Sequence, residues 1–137
     1  MIAAIPLTVV PLILFNVLGF AYGGDPWGNV ILSFPMASEV SWPLTLGDAM
    51  IVFAIVMLFF EVLKAARPAP MTVTNHVAST GVFVIYLVEF ILARVAAHSV
   101  FFILTVIALF DVVAGFTISI RTATRDIALG HTIDGPS

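Results

Sequence analysis

Four long apolar runs, near positions 2–21, 48–66, 77–97 and 99–120, decide most of what this chain can become. Each is close to the roughly 20 residues a helix needs to cross the ~30 Å hydrocarbon core of a bilayer. In lipid, every backbone N–H and C=O must be satisfied internally, which leaves helices or closed barrels. Barrel strands alternate polar and apolar residues, and these runs do not. The expected fold is therefore all-α: a polytopic membrane protein, with one four-transmembrane-helix bundle over residues 1–137. Composition agrees, since 61% of the residues are hydrophobic and 9% are charged, too few to coat a soluble surface at the usual ~25%.

The first run has no Lys or Arg before it and is longer than the apolar core of a signal peptide. It is expected to stay as a span. Pro11 should kink it unless neighbouring groups satisfy the freed carbonyl. Four of the five bases, Lys64, Arg67, Arg121 and Arg125, follow the second and fourth runs. The positive-inside rule then places both termini and the 122–137 tail in the cytoplasm of a bacterium, with the protein in its inner membrane. The 22–47 loop and the turn around His98 fall on the periplasmic side. Trp27 and Trp42, with Lys64, Arg67, Arg94, Arg121 and Arg125, are expected as interface anchors.

The Gly and Pro residues of the 22–47 loop predict turns rather than a helix. Its Val30-Ile-Leu-Ser-Phe34 stretch is apolar enough to lie on the membrane or against a partner. Thr45-Leu-Gly-Asp48 has the spacing of a capping box at the start of the second span.

Three acids fall within spans, where a charge at mid-bilayer costs about 2.5–3.5 kcal/mol. Glu61 precedes Lys64 by three residues and shares its helix face, so an ion pair near the cytoplasmic boundary is expected. Asp111 shares a face with Thr105, Ala108, Gly115 and Ser119, a stripe of small and polar residues that lets helices approach closely. Glu89 shares its face with Tyr86 and Ala93. Because a tight turn joins spans three and four, Glu89 and Asp111 are expected as counterparts across that helix pair. They form a candidate proton or ion site with Tyr86 and Thr105, while Ala93, Ala108, Gly115 and Ser119 serve packing.

Other chemistries have little support. There is no cysteine, so disulfides, thiolate catalysis and iron–sulfur ligation are excluded. His76 and His98 sit at opposite ends of a span, and His76 with His131 and Asp134 lacks motif spacing, so neither a metal nor a haem or other cofactor is expected. Net charge is −3 with no basic patch, which gives no nucleic-acid partner. No phosphate loop, nucleophile elbow or zincin motif occurs, and no enzymatic activity is expected.

The partners expected are the lipid bilayer and either other membrane subunits or further copies of the chain. The leading expectation is a non-catalytic accessory or assembly subunit of an inner-membrane complex, or a homo-oligomer. The alternatives are a small proton- or cation-coupled transporter or channel using Glu89 and Asp111, and a lipid- or quinone-binding module using the 22–47 loop.

Four short pieces, Thr45-Leu-Gly-Asp48, Glu61-Val-Leu-Lys-Ala65, Val88-Glu-Phe90 and Phe110-Asp-Val-Val-Ala-Gly-Phe-Thr117, give the chain a resemblance to small four-helix inner-membrane proteins of alphaproteobacteria. The resemblance covers roughly 45–125. It implies the helix count and carries no activity or site.

Overall fold

The computed structural model describes residues 5–65 and 72–133, with side chains of residues 65, 72, 73, 119 and 121–133 left undescribed. The fold is mostly helical. Helix α1 spans Val9–Tyr22, α2 Leu46–Ala65, α3 Thr72–Leu92 and α4 Ser99–Ile133. Between α1 and α2 lie a single 3₁₀ turn, Pro26–Gly28, and a hairpin of β1 (Val30–Pro35) and β2 (Ser41–Thr45). A second 3₁₀ turn, Arg94–Ala96, joins α3 to α4. Helix α4 packs against both α2 and α3.

Three helices are long and apolar enough to cross a membrane: α2 over Leu46–Lys64, α3 over Thr74–Leu92 and α4 over Ser99–Ile118. Helix α1 is not, because its 14 residues rise only about 21 Å. The first apolar run therefore differs from expectation near its start, where residues 5–8 are not helical. Pro11 falls in the first turn of the helix, where a missing N–H costs no intrahelical bond and frees no carbonyl. The preceding donors are met by short-range bonds, Val9 N–H to the Pro6 carbonyl at 3.2 Å and Val10 N–H to the Leu7 carbonyl at 3.1 Å. Gly23, at φ 62°, ends the helix in a conformation that suits glycine.

The 22–47 segment is more ordered than turns alone. Asp25 caps the Pro26–Gly28 turn by accepting from Trp27 N–H at 3.2 Å. That turn drives Trp27 into the core, where it is 2% exposed and stacks on Phe15 with ring centroids 4.3 Å apart. Trp27 is thus a core residue and not the interface anchor expected. Phe15, itself fully buried, also touches Phe101 at 4.8 Å, and Phe101 meets Tyr86 at 5.4 Å. One aromatic chain therefore ties the loop, α1, α4 and α3 together. Such pairs add about 0.5–1.5 kcal/mol each beyond area burial.

The capping box is present in both directions. Asp48 N–H donates to Thr45 Oγ1 at 3.1 Å, and Thr45 N–H donates to the Asp48 carboxylate at 3.2 Å. Helix α3 ends at Leu92, five residues before the expected end, and residues 93–98 form the connection. Helix α4 runs beyond the expected span to Ile133, through most of the segment read as a tail.

Candidate functional site

Residues 5–8 enter the bundle without helical structure, and their polar groups are met by side chains from all three other helices. From α2, the Glu61 carboxylate accepts from Leu7 N–H at 2.9 Å. It also pairs with Lys64 at 3.2 Å, and the Lys64 ammonium donates to the Ile5 carbonyl at 2.9 Å. From α3, the Tyr86 hydroxyl donates to the Thr8 carbonyl at 2.7 Å. From α4, the Asp111 carboxylate accepts from Thr8 Oγ1 at 3.3 Å. Ser79 of α3 faces the same carboxylate, and Glu61 lies within electrostatic range of it. Thr8 precedes α1 but does not cap it with its side chain, because that hydroxyl is committed to Asp111.

This cluster is buried. Glu61 and Asp111 are each 3% exposed, and Thr8, Ser79 and Tyr86 are buried beside them. Lys64 is one cation set against two carboxyls. In a low-dielectric interior the hydrogen bonds matter as much as the charges, since an unpaired buried polar group costs about 1–3 kcal/mol.

The expected Glu61–Lys64 pair is therefore present, with Glu61 buried rather than at a surface. Asp111 points into the bundle, as its stripe predicted, with Ala108 and Thr105 also buried. The Thr105 hydroxyl, however, donates to the Phe101 carbonyl at 2.9 Å and lies outside the cluster's bonds. Gly115 faces His76, whose Nδ1 is 4.0 Å from where a Cβ would stand. Ala93 has left α3 and packs against the core from the connection.

The expected pairing of Glu89 with Asp111 is replaced by separate partners. Glu89 is half-buried and faces the Asn16 side chain of α1. Its depth explains the change. Because α3 ends at Leu92, Glu89 lies about 4.5 Å below that end, whereas Asp111 lies about 18 Å beyond the start of α4. The acid near Asp111 is Glu61.

At the opposite end, His98 caps α4. Its Nδ1 accepts from Val100 N–H at 3.0 Å, so Nε2 carries the proton toward Asp25 Oδ1 at 3.3 Å. Arg94 is exposed on the connection, and Trp42 is exposed on β2. Arg67 lies outside the described residues, as do the side chains of Ser119, Arg121, Arg125 and His131. Among the described residues no group of three or more His, Asp and Glu is placed to hold a metal ion.

Sequence reasoning missed Thr8 and Leu7 as members of the site. Thr8 lay inside an apparent span, and backbone donors carry no sequence signal. Compared with family models, curated proteins and solved structures, the chain finds no significant match in any of the three.

Proposed function

We propose that this chain is a non-catalytic integral membrane protein of a bacterial inner membrane, with cytoplasmic termini, acting as an accessory or assembly subunit or as a homo-oligomer. One observation carries this reading: the two most buried acids are both occupied in holding residues 7 and 8. Acids used as a clasp are committed to structure, which suits the fixed bundle of an assembly subunit. Large apolar side chains such as Phe59, Phe60, Ile91 and Phe110 are exposed along the helices, ready for lipid or neighbouring helices. Native mass spectrometry after mild detergent extraction tests it. The expected result is a discrete oligomer or a stoichiometric membrane partner. A clean monomer would overturn it.

A second reading has its own support. Two carboxyls, Glu61 and Asp111, share one ammonium, Lys64, and are ringed by the Thr8, Ser79 and Tyr86 hydroxyls. That arrangement suits a proton- or cation-coupled path, with Glu61 in the role expected for Glu89. Reconstituted vesicles separate the two readings. Coupling requires a flux that Asp111→Asn abolishes while the thermal stability of the protein stays near wild type.

A further inference from the structure

The hairpin between α1 and α2 has two unlike faces, and the strand register sorts them. Leu32 pairs with Leu44 and Phe34 with Trp42, while Ser33 pairs with Pro43 and Pro35 with Ser41. Side chains alternate across a strand, so the first two pairs share one face and the last two the other. One face is Leu32, Phe34, Trp42 and Leu44; the opposite one carries Ser33, Pro35, Ser41 and Pro43, with the Val30–Thr45 pair at its base beyond a register shift at Ile31. On the apolar face Phe34 and Trp42 stack at 5.8 Å, yet Leu32 is 54% exposed, Phe34 42% and Trp42 45%. The hairpin's contacts with the bundle are confined mainly to α2. A two-stranded hairpin standing alone in water is only marginally stable, so this face needs a cover.

Three features identify that cover as lipid. The hairpin is rooted at the end of a helix apolar enough to cross a membrane: β2 ends at Thr45, α2 begins at Leu46, and Leu46 N–H bonds to the Asn29 carbonyl at 2.8 Å. Neither strand contains a charged residue, and the only polar side-chain group on the apolar face is the Trp42 indole N–H, the side chain that settles at bilayer interfaces. The area is also small. Roughly half-exposed side chains of about 150–250 Å² each offer on the order of 300 Å² from Leu32, Phe34 and Trp42. A stable protein interface needs about 800 Å² from each partner.

We propose that the hairpin is an interfacial paddle: its Leu32, Phe34, Trp42 and Leu44 face seats in the outer lipid interface, and its Ser33, Pro35, Ser41 and Pro43 face meets water. The proposal rests on the membrane reading above and adds a lipid-contact site outside the helices.

The absence of cysteine allows single labels to be placed without background. Spin labels at Leu32→Cys, Phe34→Cys and Ser33→Cys, with Phe59→Cys on exposed α2 as the lipid reference, are read in vesicles of phosphatidylethanolamine and phosphatidylglycerol. Oxygen reports lipid contact and a water-soluble nickel chelate reports water. The ratio of oxygen to nickel collisions should be severalfold higher at positions 32 and 34 than at 33. Equal water access at 32 and 33, with position 59 in lipid, overturns the paddle alone. A label at 32 shielded from both reagents assigns the face to a second copy or another protein, and also overturns it. Water access at 59 overturns the membrane reading itself. In the unlabelled chain, lipids brominated near the headgroup should quench tryptophan emission, and Trp42→Phe should remove most of that quenching. Retention of the quenching in Trp42→Phe counts against the paddle.

Discussion

The Tyr86 hydroxyl donates to the carbonyl of Thr8, 78 positions away, and both groups are buried. This bond fixes the start of α1 against the middle of α3. Tyr86→Phe keeps the ring against Phe101 and removes only the donor. The Thr8 carbonyl then loses its cross-helix partner, and the variant should be less stable by about 1–3 kcal/mol in detergent unfolding. An unchanged midpoint would mean that the bond contributes nothing.

Glu61 should tolerate amide replacement better than removal. Glu61→Gln keeps an acceptor for Leu7 N–H and loses the charge opposite partly exposed Lys64, at a cost of about 1 kcal/mol. Glu61→Leu strands both Leu7 N–H and the Lys64 ammonium, at a cost of about 2–4 kcal/mol. Thermal unfolding of the two variants side by side gives the order. If Leu is as stable as Gln, the carboxylate is not a clasp.

The two tryptophans should behave oppositely. Trp27→Ala opens a hole beside Phe15 and should cost about 3–5 kcal/mol, while Trp42→Ala, on the free hairpin face, should leave bundle stability within about 0.5 kcal/mol. Similar small losses for both would restore the expectation that each is a surface anchor.

Two glycines should answer differently to the same rescue. A Cβ at Gly19 would stand 2.7 Å from Val95 Cγ2 and meets no other group within 4 Å. At Gly47 it would stand 2.8 Å from Val100 Cγ2 and 3.0 Å from the Trp27 carbonyl oxygen. Each Gly→Ala change should cost about 1–3 kcal/mol through overpacking. Double-mutant cycles should show Val95→Ala relieving most of the strain at Gly19. Val100→Ala should relieve only part at Gly47, because a backbone oxygen cannot be trimmed.

The three long helices were legible because a hydrocarbon-length apolar run has few other solutions. The Asp111 stripe and the Thr45–Asp48 box were legible because helical phase and cap spacing are local rules. The ends of helices were harder to read. Helix α3 stops at Leu92 within Leu-Ala-Arg-Val-Ala-Ala, which contains no Gly or Pro to announce it, and that displaced Glu89 from the depth assigned to it. Trp27 looked like an anchor because burial depends on a 3₁₀ turn set by Asp25, two residues upstream. The hairpin hid behind its own prolines, which argue against regular strand but sit here on an exposed two-stranded ribbon with free edges. Glu61 meeting Asp111 was beyond local reading, since it depends on which helices flank α4.

The wiring of residues 5–8 also sets an order of assembly. Their partners Glu61, Tyr86 and Asp111 stand 54, 78 and 103 positions downstream of Leu7 and Thr8. A chain made from its N-terminus cannot secure α1 until α4 has been synthesised to Asp111. Helix α1 is therefore made before every side chain that holds its entry, and a chain interrupted between α3 and α4 still leaves the Thr8 hydroxyl without Asp111.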